Sequence, residues 1–352
     1  MKKLICTLSA VLCCFCSSHL VFADNAFLYP VNRDSSIWKE FSSHLDMIEA
    51  CDVSVEKLND LTTEELLQYV LEYPLLVDMF LFDSLEDGIL ALREHCGSLA
   101  ELLEREDVST ILFDFYEQNI VVSYANYNEA DPCDLKDYAL EGILSYLYFK
   151  GELKNPEKDK FLSFMEPEIS VCLSDSLSLP KTKGCIYKQM SNEQVDLTKK
   201  EALDVVYTPV GTPVSIRRTN YDDADHESLA REAEKEMLRT YPNASKIASA
   251  TYQYNCHAYA WYQSLTNILV WMENPWSYMH DGSYAAVSYS QGEKIYYDAN
   301  GASYKGDHSG NITSSSAVIS KWGIGPLMRH AHTYCPYYTG AEILTYYKRV
   351  HY

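Results

Sequence analysis

A cysteine in the C-terminal third of the chain has a sequence context suited to nucleophilic catalysis. Cys256 follows Asn255, a favoured helix N-cap, and the residues after it predict a helix to about Leu269. At the first turn of a helix, unpaired backbone N–H groups and the helix dipole favour a thiolate over a thiol. A nucleophilic thiol also needs a base within hydrogen-bond reach, and that base must come from another element.

His308 is the best candidate for this base, because it opens a predicted strand 52 residues after Cys256. His257 is adjacent to Cys256, but neighbouring helix residues point in different directions, so we predict a structural role for it. A second interpretation pairs Cys256 with Cys335 in a disulfide and leaves His308 at an exposed strand edge. Spacing alone leaves the catalytic and the structural interpretations both open.

Three strings carry a resemblance to a known family: Tyr254–Tyr262, His308–Gly310 and Ile319–His330. They resemble the papain-like cysteine peptidases and amidases of the NlpC and CHAP type, over roughly residues 250–350. The resemblance implies that Cys256 is the nucleophile, that His308 is the base and that a third polar residue orients the imidazole. Ser320 stands at this third position, where these families usually carry His, Asn, Gln, Glu or Asp. His330 or Asp307 could take its place.

Aromatic residues are concentrated in the same region. From residue 246 onward lie 16 of the 29 tyrosines and four of the five tryptophans. We predict that Tyr254 and Trp322 bind substrate in an aromatic groove for a glycan or a peptide. The alternative is that these rings are buried against a sheet.

Two histidines and a cysteine near the C-terminus raise the question of a metal. His330, His332 and Cys335 could ligate zinc, but no second cluster supplies a convincing fourth ligand. We therefore predict no metal and no other cofactor.

The elements that must position these residues differ in composition along the chain. Residues 24–150 are predicted to form an acidic helical domain, with a capping box at Thr62 and Glu65 and helices at 84–96, 98–106, 108–117 and 135–149. Residues 151–204 are predicted to be a linker. Residues 205–245 predict two strands, Val205–Thr208 and Val214–Arg218, followed by a surface helix.

Residues 246–352 follow a different pattern. After the helix that starts at Cys256, alternating residues predict five strands: Ser283–Ser290, Lys294–Tyr297, His308–Thr313, Ala317–Trp322 and Ile343–Lys348. One helix followed by about five strands is typical of an α+β domain with the helix packed on an antiparallel sheet. The predicted fold class is therefore α+β, an N-terminal all-α domain followed by a C-terminal domain that the resemblance makes papain-like.

The N-terminus and the net charge restrict location and partners. Lys2 and Lys3, the apolar run Leu4–Cys16 and a small residue at Ala23 predict a signal peptide over residues 1–23. A retained anchor, or a lipid on Cys13, Cys14 or Cys16, are the alternatives. Seven of the eleven cysteines follow residue 23, so at least one thiol stays unpaired. A formal net charge of −21 disfavours nucleic-acid and anionic-lipid partners.

These features combine into one functional prediction and one alternative. The prediction is a secreted, cell-surface or periplasmic thiol-dependent amide hydrolase, with peptidoglycan or a peptide as substrate and no integral membrane span after signal cleavage. The alternative is a catalytically weak or inactive papain-like binding module at the cell surface, favoured by the uncharged Ser320 at the orienting position. The sequence leaves the cleaved bond and the oligomeric state open.

Overall fold

The structure, a computed structural model, describes residues 29–118, 134–165, 204–218, 224–299 and 307–350. The predicted signal peptide, most of the predicted linker and the cysteines at 133, 172 and 185 lie outside these ranges. The described residues form a mixed fold, with helices mostly in the N-terminal half and antiparallel strands in the C-terminal half. This confirms the α+β class.

The N-terminal half consists of short helices that follow one another closely. Two 3₁₀ turns lie at Ser36–Glu40 and Leu76–Phe80, and the α-helices are α1 His44–Ala50, α2 Val55–Asn59, α3 Thr63–Leu71, α4 Leu85–His95, α5 Gly97–Glu104, α6 Val108–Tyr116 and α7 Leu135–Lys150. The predicted capping box is present: the Thr62 hydroxyl accepts from the Glu65 N–H at 3.2 Å, and the Glu65 carboxylate accepts from the Thr62 N–H at 2.8 Å. The helices predicted from residue 84 onward correspond to α4 to α7.

The predicted linker begins with a helix that the sequence prediction did not include. This helix, α8, spans Glu157–Met165. Pro156 precedes it, a position that a helix start tolerates. The Phe161 side chain is fully buried and lies 5.8 Å from the Tyr148 ring of α7. This packing is a tertiary contact that the local sequence pattern does not show, and the predicted domain boundaries stay a prediction.

A hairpin and a long helix connect the two halves. Strands β1 Asp204–Tyr207 and β2 Pro213–Ile216 pair antiparallel, and the turn between them holds Gly211 at a φ of +93°. Helix α9 spans Ala224–Thr240. The predicted strands and the predicted helix are therefore both present.

The C-terminal half contains a seven-stranded antiparallel sheet in the order β3-β8-β7-β6-β5-β9-β4. Its strands are β3 Ser245–Ala248, β4 Tyr284–Val287, β5 Lys294–Asp298, β6 His308–Ser314, β7 Ala317–Lys321, β8 Leu327–His330 and β9 Ile343–Arg349. The five predicted strands are present. The prediction missed β3, an exposed four-residue edge strand, and β8, its partner. Both are too short to show a clear alternation.

The two faces of the sheet belong to different hydrophobic clusters. One cluster joins Val318, Trp322 and Met328 of the sheet region to the N-terminal helices, so both halves share one core. The other cluster joins Tyr296 of β5 to Trp261 and to the β1-β2 hairpin. Within the described ranges, no helix has the length and apolar character needed to cross a membrane.

Candidate functional site

Helix α10 presents Cys256 at its first position. The segment comprises an α-helical turn Cys256–Ala258, a π-helical turn Tyr259–Gln263 and a last turn Ser264–Thr266. The Asn255 side chain accepts from the Ala258 N–H at 3.1 Å, which confirms the predicted N-cap. Its amide donates to Asp83 Oδ2 at 2.7 Å, so a residue of the N-terminal half fixes the start of α10.

The Cys256 thiol is buried, with only 2% of the residue exposed. Burial, and then the Asp83 carboxylate, raise the pKa of this thiol well above its usual value. The backbone N–H groups of Ser309 and His257 lower the pKa of the thiol, but by less than burial raises it. In this arrangement Cys256 is a neutral thiol. Cys256 and Cys335 are both free, so they do not form the disulfide of the alternative interpretation.

His308 is the first residue of β6 and is fully buried. Its ring stacks on the Tyr337 ring, with centroids 3.6 Å apart and planes 7° apart. Neither ring nitrogen has a hydrogen-bond partner among the described residues, so the imidazole is not bonded to Cys256. Burial, followed by the nearby His330 and His257, lowers the pKa of His308 well below its usual value. The imidazole is therefore neutral.

Helix α10 and strand β6 are joined through His257 and Ser309, which follow Cys256 and His308 in the sequence. Ser309 Oγ lies 2.8 Å from His257 Nδ1 and accepts from Trp261 Nε1 at 2.9 Å. These bonds give His257 the structural role that its position predicts. They also hold the N-terminus of α10 against the strand that begins with His308.

The three candidate orienting residues have other partners. Ser320 Oγ lies 2.7 Å from His330 Nε2 and accepts from Trp322 Nε1 at 3.0 Å. The Nδ1–H of His330 donates to the Ala331 carbonyl at 2.8 Å. The Asp307 carboxylate accepts from the Ala299 N–H at 2.9 Å and from the Tyr296 hydroxyl. The structure therefore brings none of the three into a hydrogen bond with His308.

The two predicted substrate-binding residues are both buried. Trp322 has no exposed surface, and its ring lies 5.0 Å from that of Tyr241 in the shared core. Tyr254 is 6% exposed and lies under the Lys321 ammonium, 5.2 Å from ring centroid to Nζ. The core position of Trp322 matches the alternative of a ring buried against the sheet.

Two charged residues near Cys256 were missed by sequence reasoning. Lys321 is fully buried, and its Nζ donates to the carbonyls of Thr251 at 2.9 Å, Gly325 at 2.7 Å and Gly323. Burial lowers the pKa of Lys321 to about 7 and raises that of Asp83 to about 7. The position of Lys321 at the end of an apolar strand could have indicated a buried lysine. No pattern in the sequence indicates that Asp83 lies near Cys256, because Asp83 belongs to the other half of the chain.

The three residues that the sequence analysis considered as zinc ligands do not form a metal site in the structure. His330 is engaged by Ser320 and Ala331, and Cys335 Sγ lies 4.0 Å from the His332 carbonyl. In the described ranges, a cluster of potential metal ligands instead comprises His44, Asp78 and His95, in the N-terminal half.

Comparison of the chain with protein-family models, characterised proteins and solved structures finds no match.

Proposed function

We propose that this protein is an exported thiol-dependent amide hydrolase with a papain-like C-terminal domain, acting on the peptides of peptidoglycan. The observation that carries the proposal is the imidazole of His308. Both of its ring nitrogens are buried without a hydrogen-bond partner among the described residues. A buried polar group left unpaired is costly and rare in folded proteins, and active sites are one place where it is retained.

The position of Cys256 supports the same function. Asn255 caps α10 so that the thiol lies at the helix start, near the N–H groups of His257 and Ser309. The bond between His257 and Ser309 holds this helix start to the strand that carries His308. A cysteine at a helix start and a histidine at a strand start are thus carried by two elements in direct contact.

The proposed reaction divides the work between these two residues. Cys256 gives its proton to His308 and its sulfur attacks the substrate carbonyl carbon, forming a tetrahedral intermediate. The backbone N–H of Cys256 helps to hold the oxyanion. His308 then gives the proton to the leaving amine, and water hydrolyses the thioester in the second half of the reaction.

In this structure Cys256 and His308 are closed off from solvent, so catalysis requires a change of conformation. Cys256 and His308 are buried, and the pKa shifts of both groups favour the neutral thiol and the neutral imidazole. The Leu81 carbonyl accepts from the Tyr337 hydroxyl, and the Tyr337 ring covers His308. Substrate entry must therefore displace Tyr337 or the segment of the N-terminal half that contacts it.

A non-catalytic binding module is the second candidate. The observation in its favour is the engagement of Ser320, Asp307 and His330 by other partners, which leaves His308 without an orienting group among the described residues. In thiol hydrolases the third group fixes the ring and its tautomer. A chain without that group keeps the fold and loses turnover.

The test compares two buried free thiols. Full-length protein, Cys256→Ala and Cys335→Ala are incubated with soluble peptidoglycan fragments, and new amines are followed by mass spectrometry. We expect Cys256→Ala to lose all turnover and Cys335→Ala to keep it, because both cysteines are buried but only Cys256 begins a helix that contacts the strand of His308. Circular dichroism checks that both variants are folded.

Alkylation separates the two candidate functions. With iodoacetamide at pH 6, Cys256 of a hydrolase should react faster in the presence of peptidoglycan fragments than in their absence, because substrate opens the site and brings the base to the thiol. Cys335 should react equally slowly in both conditions. Binding of the fragments without turnover and without faster alkylation would establish the binding module.

A further inference from the structure

The N-terminal half contains a second cluster of ionisable side chains, outside the proposed hydrolase site. His44 is the first residue of α1, Asp78 lies in the 3₁₀ turn Leu76–Phe80, and His95 is the last residue of α4. One potential ligand atom from each lies within 4.8 Å of the other two. Three elements that are separate in sequence thus bring two imidazoles and one carboxylate together.

One helix cap and two long-range hydrogen bonds hold His44 and Asp78 in place. The Ser43 hydroxyl caps α1 by accepting from the Asp46 N–H at 3.1 Å, so His44 is held in the first turn. Its backbone N–H donates to the Thr333 carbonyl at 2.9 Å. The Asp78 carboxylate accepts from the Tyr241 hydroxyl at 2.7 Å. His44 and Asp78 are therefore each held by a bond that leaves other atoms of the group available.

The hydrogen bonds of His44 match those of a metal ligand. Its Nδ1–H donates to the Tyr338 carbonyl at 3.0 Å, and its Nε2 lies 2.9 Å from Asp78 Oδ2. Histidines that bind metals commonly donate the other ring N–H to a carbonyl, which fixes the tautomer and directs the free nitrogen to the ion. The Tyr338 carbonyl does this for His44.

His95 provides the observation that points to a ligand. Both of its ring nitrogens are buried, and neither has a hydrogen-bond partner among the described residues. Its ring lies 5.7 Å from that of His44, nearly perpendicular to it. A hydrogen bond between His44 and Asp78 accounts for those two residues alone, whereas a shared cation gives all three side chains a partner.

We infer that His44, Asp78 and His95 bind a zinc ion. Two imidazole nitrogens and one carboxylate oxygen suit zinc, whereas calcium and magnesium prefer oxygen ligands throughout. With bonds of about 2.0–2.1 Å, neighbouring ligands of a tetrahedral ion lie about 3.3 Å apart. The 2.9 Å between His44 and Asp78 opens to this value with a shift of a few tenths of an ångström. Water supplies the fourth position.

The test measures zinc on the full-length protein without any activity assay. Purified protein is stripped with a chelator, and Zn²⁺ is added back while bound metal and thermal unfolding are recorded. We expect close to one zinc per chain and a rise in Tm of about 4 °C when free zinc is at 100 times Kd. Co²⁺ in the same site should give the visible absorption bands of a tetrahedral ion.

Two variants and a control make the test specific. His95→Gln should lose the bound zinc and the Tm rise while the metal-free protein keeps its Tm, because the His95 ring makes no hydrogen bond that the change would remove. Asp78→Asn should weaken zinc binding while its side chain can still accept from Tyr241. His280→Gln, an exposed histidine stacked on Trp276, should behave like the parent protein.

Two results would contradict zinc binding at this cluster. A parent protein that takes up less than a tenth of an equivalent of zinc and shows no Tm rise would overturn the inference. Equal zinc uptake by the parent and by His95→Gln would also overturn it, since the ion would then bind elsewhere on the chain.

Discussion

Two histidines in the described ranges have buried ring nitrogens without a hydrogen-bond partner, and their surroundings differ. His95 lies beside a second imidazole and a carboxylate, His44 and Asp78. His308 lies against the face of the Tyr337 ring, with Cys256 on the adjoining helix. Around His95, two imidazoles and a carboxylate can direct lone pairs to the same place, which suits a cation. His308, by contrast, places one imidazole on a strand that contacts the helix carrying a thiol, which is the arrangement that the proposed hydrolase requires.

This difference shows that an unpaired histidine indicates function only together with its neighbours. Burial disfavours the charged imidazole and lowers the pKa in both places, to about 3 for His95 and well below the usual value for His308. The direction of the pKa shift is therefore the same, and it does not distinguish a metal ligand from a general base.

The largest effect is expected from His308→Gln. Removal of the general base should lower amide hydrolysis by ~100-fold or more. The zinc-dependent rise in Tm should be unchanged, because His308 lies on the sheet and the three zinc ligands lie in the N-terminal half. Steady-state kinetics and thermal unfolding measure the two effects on the same sample. A loss of both in a folded variant would mean that the two clusters are not distinct.

Gly323→Ala is expected to have the next largest effect, on stability. Gly323 has a φ of +47°, and an added Cβ would lie 2.3 Å from the Leu81 carbonyl atoms. Backbone strain and steric overlap together should reduce the free energy of unfolding by about 3 kcal/mol. Gly282→Ala is the control, since its φ is +91° and nothing lies within 4 Å of the added atom. It should lose only about 1–2 kcal/mol.

Urea unfolding gives both free energies. Equal losses for Gly323→Ala and Gly282→Ala would contradict the close approach between Leu81 and Gly323, and with it the tight packing of the N-terminal half on the sheet near Cys256.

Ser320→Ala tests the residue that the family resemblance places third in the site. Its hydroxyl bonds His330 and Trp322, so its removal should cost about 2 kcal/mol of stability by leaving buried partners unsatisfied. Turnover should fall by less than about tenfold. Ser315→Ala, in an exposed turn, should change stability by less than about 0.5 kcal/mol. A kinetic loss as large as that of His308→Gln would assign Ser320 a direct part in orienting the base.

The last effect concerns Asp83 and the pH dependence of stability. Burial raises the pKa of Asp83 to about 7 in the folded protein, so the folded state retains a proton that the unfolded chain releases above about pH 4. The unfolded state then binds fewer protons, and stability falls as pH rises from about 4 to 7. The slope from this one group is at most about 1.4 kcal/mol per pH unit.

Asp83→Asn should remove this part of the slope, because an amide oxygen can still accept from Asn255 but does not ionise. Urea midpoints at several pH values, with Asp52→Asn as an exposed control, measure the difference. An unchanged slope in Asp83→Asn would mean that Asp83 is ionised throughout this range.

Local features of the fold could be predicted from sequence, and long-range contacts could not. The capping box at Thr62 and the N-cap at Asn255 depend on residues within three positions, and both are present. The exposed edge strand Ser245–Ala248 has no alternating burial, so it gave no signal. The contact of Asn255 with Asp83 joins distant parts of the chain and cannot be predicted from either local sequence.

The candidate site follows the same division. The helix start at Cys256 and the strand start at His308 were predicted from local pattern, and both elements begin there. The stacking of His308 on Tyr337 and the engagement of Ser320 by His330 depend on how strands and loops pack, which spacing does not reveal. His44, Asp78 and His95 come from three separate elements, and no sequence motif links them.

The short segment 78–83 contacts both the zinc-ligand cluster and the region around Cys256. Asp78 belongs to the zinc-ligand cluster, the Leu81 carbonyl accepts from Tyr337, and Asp83 accepts from Asn255 beside Cys256. A peptide that reaches Cys256 by displacing this segment also moves a metal ligand. Zinc and peptide should therefore show negative cooperativity, each weakening the binding of the other by the same factor. The availability of the cation would then set the fraction of chains open to substrate.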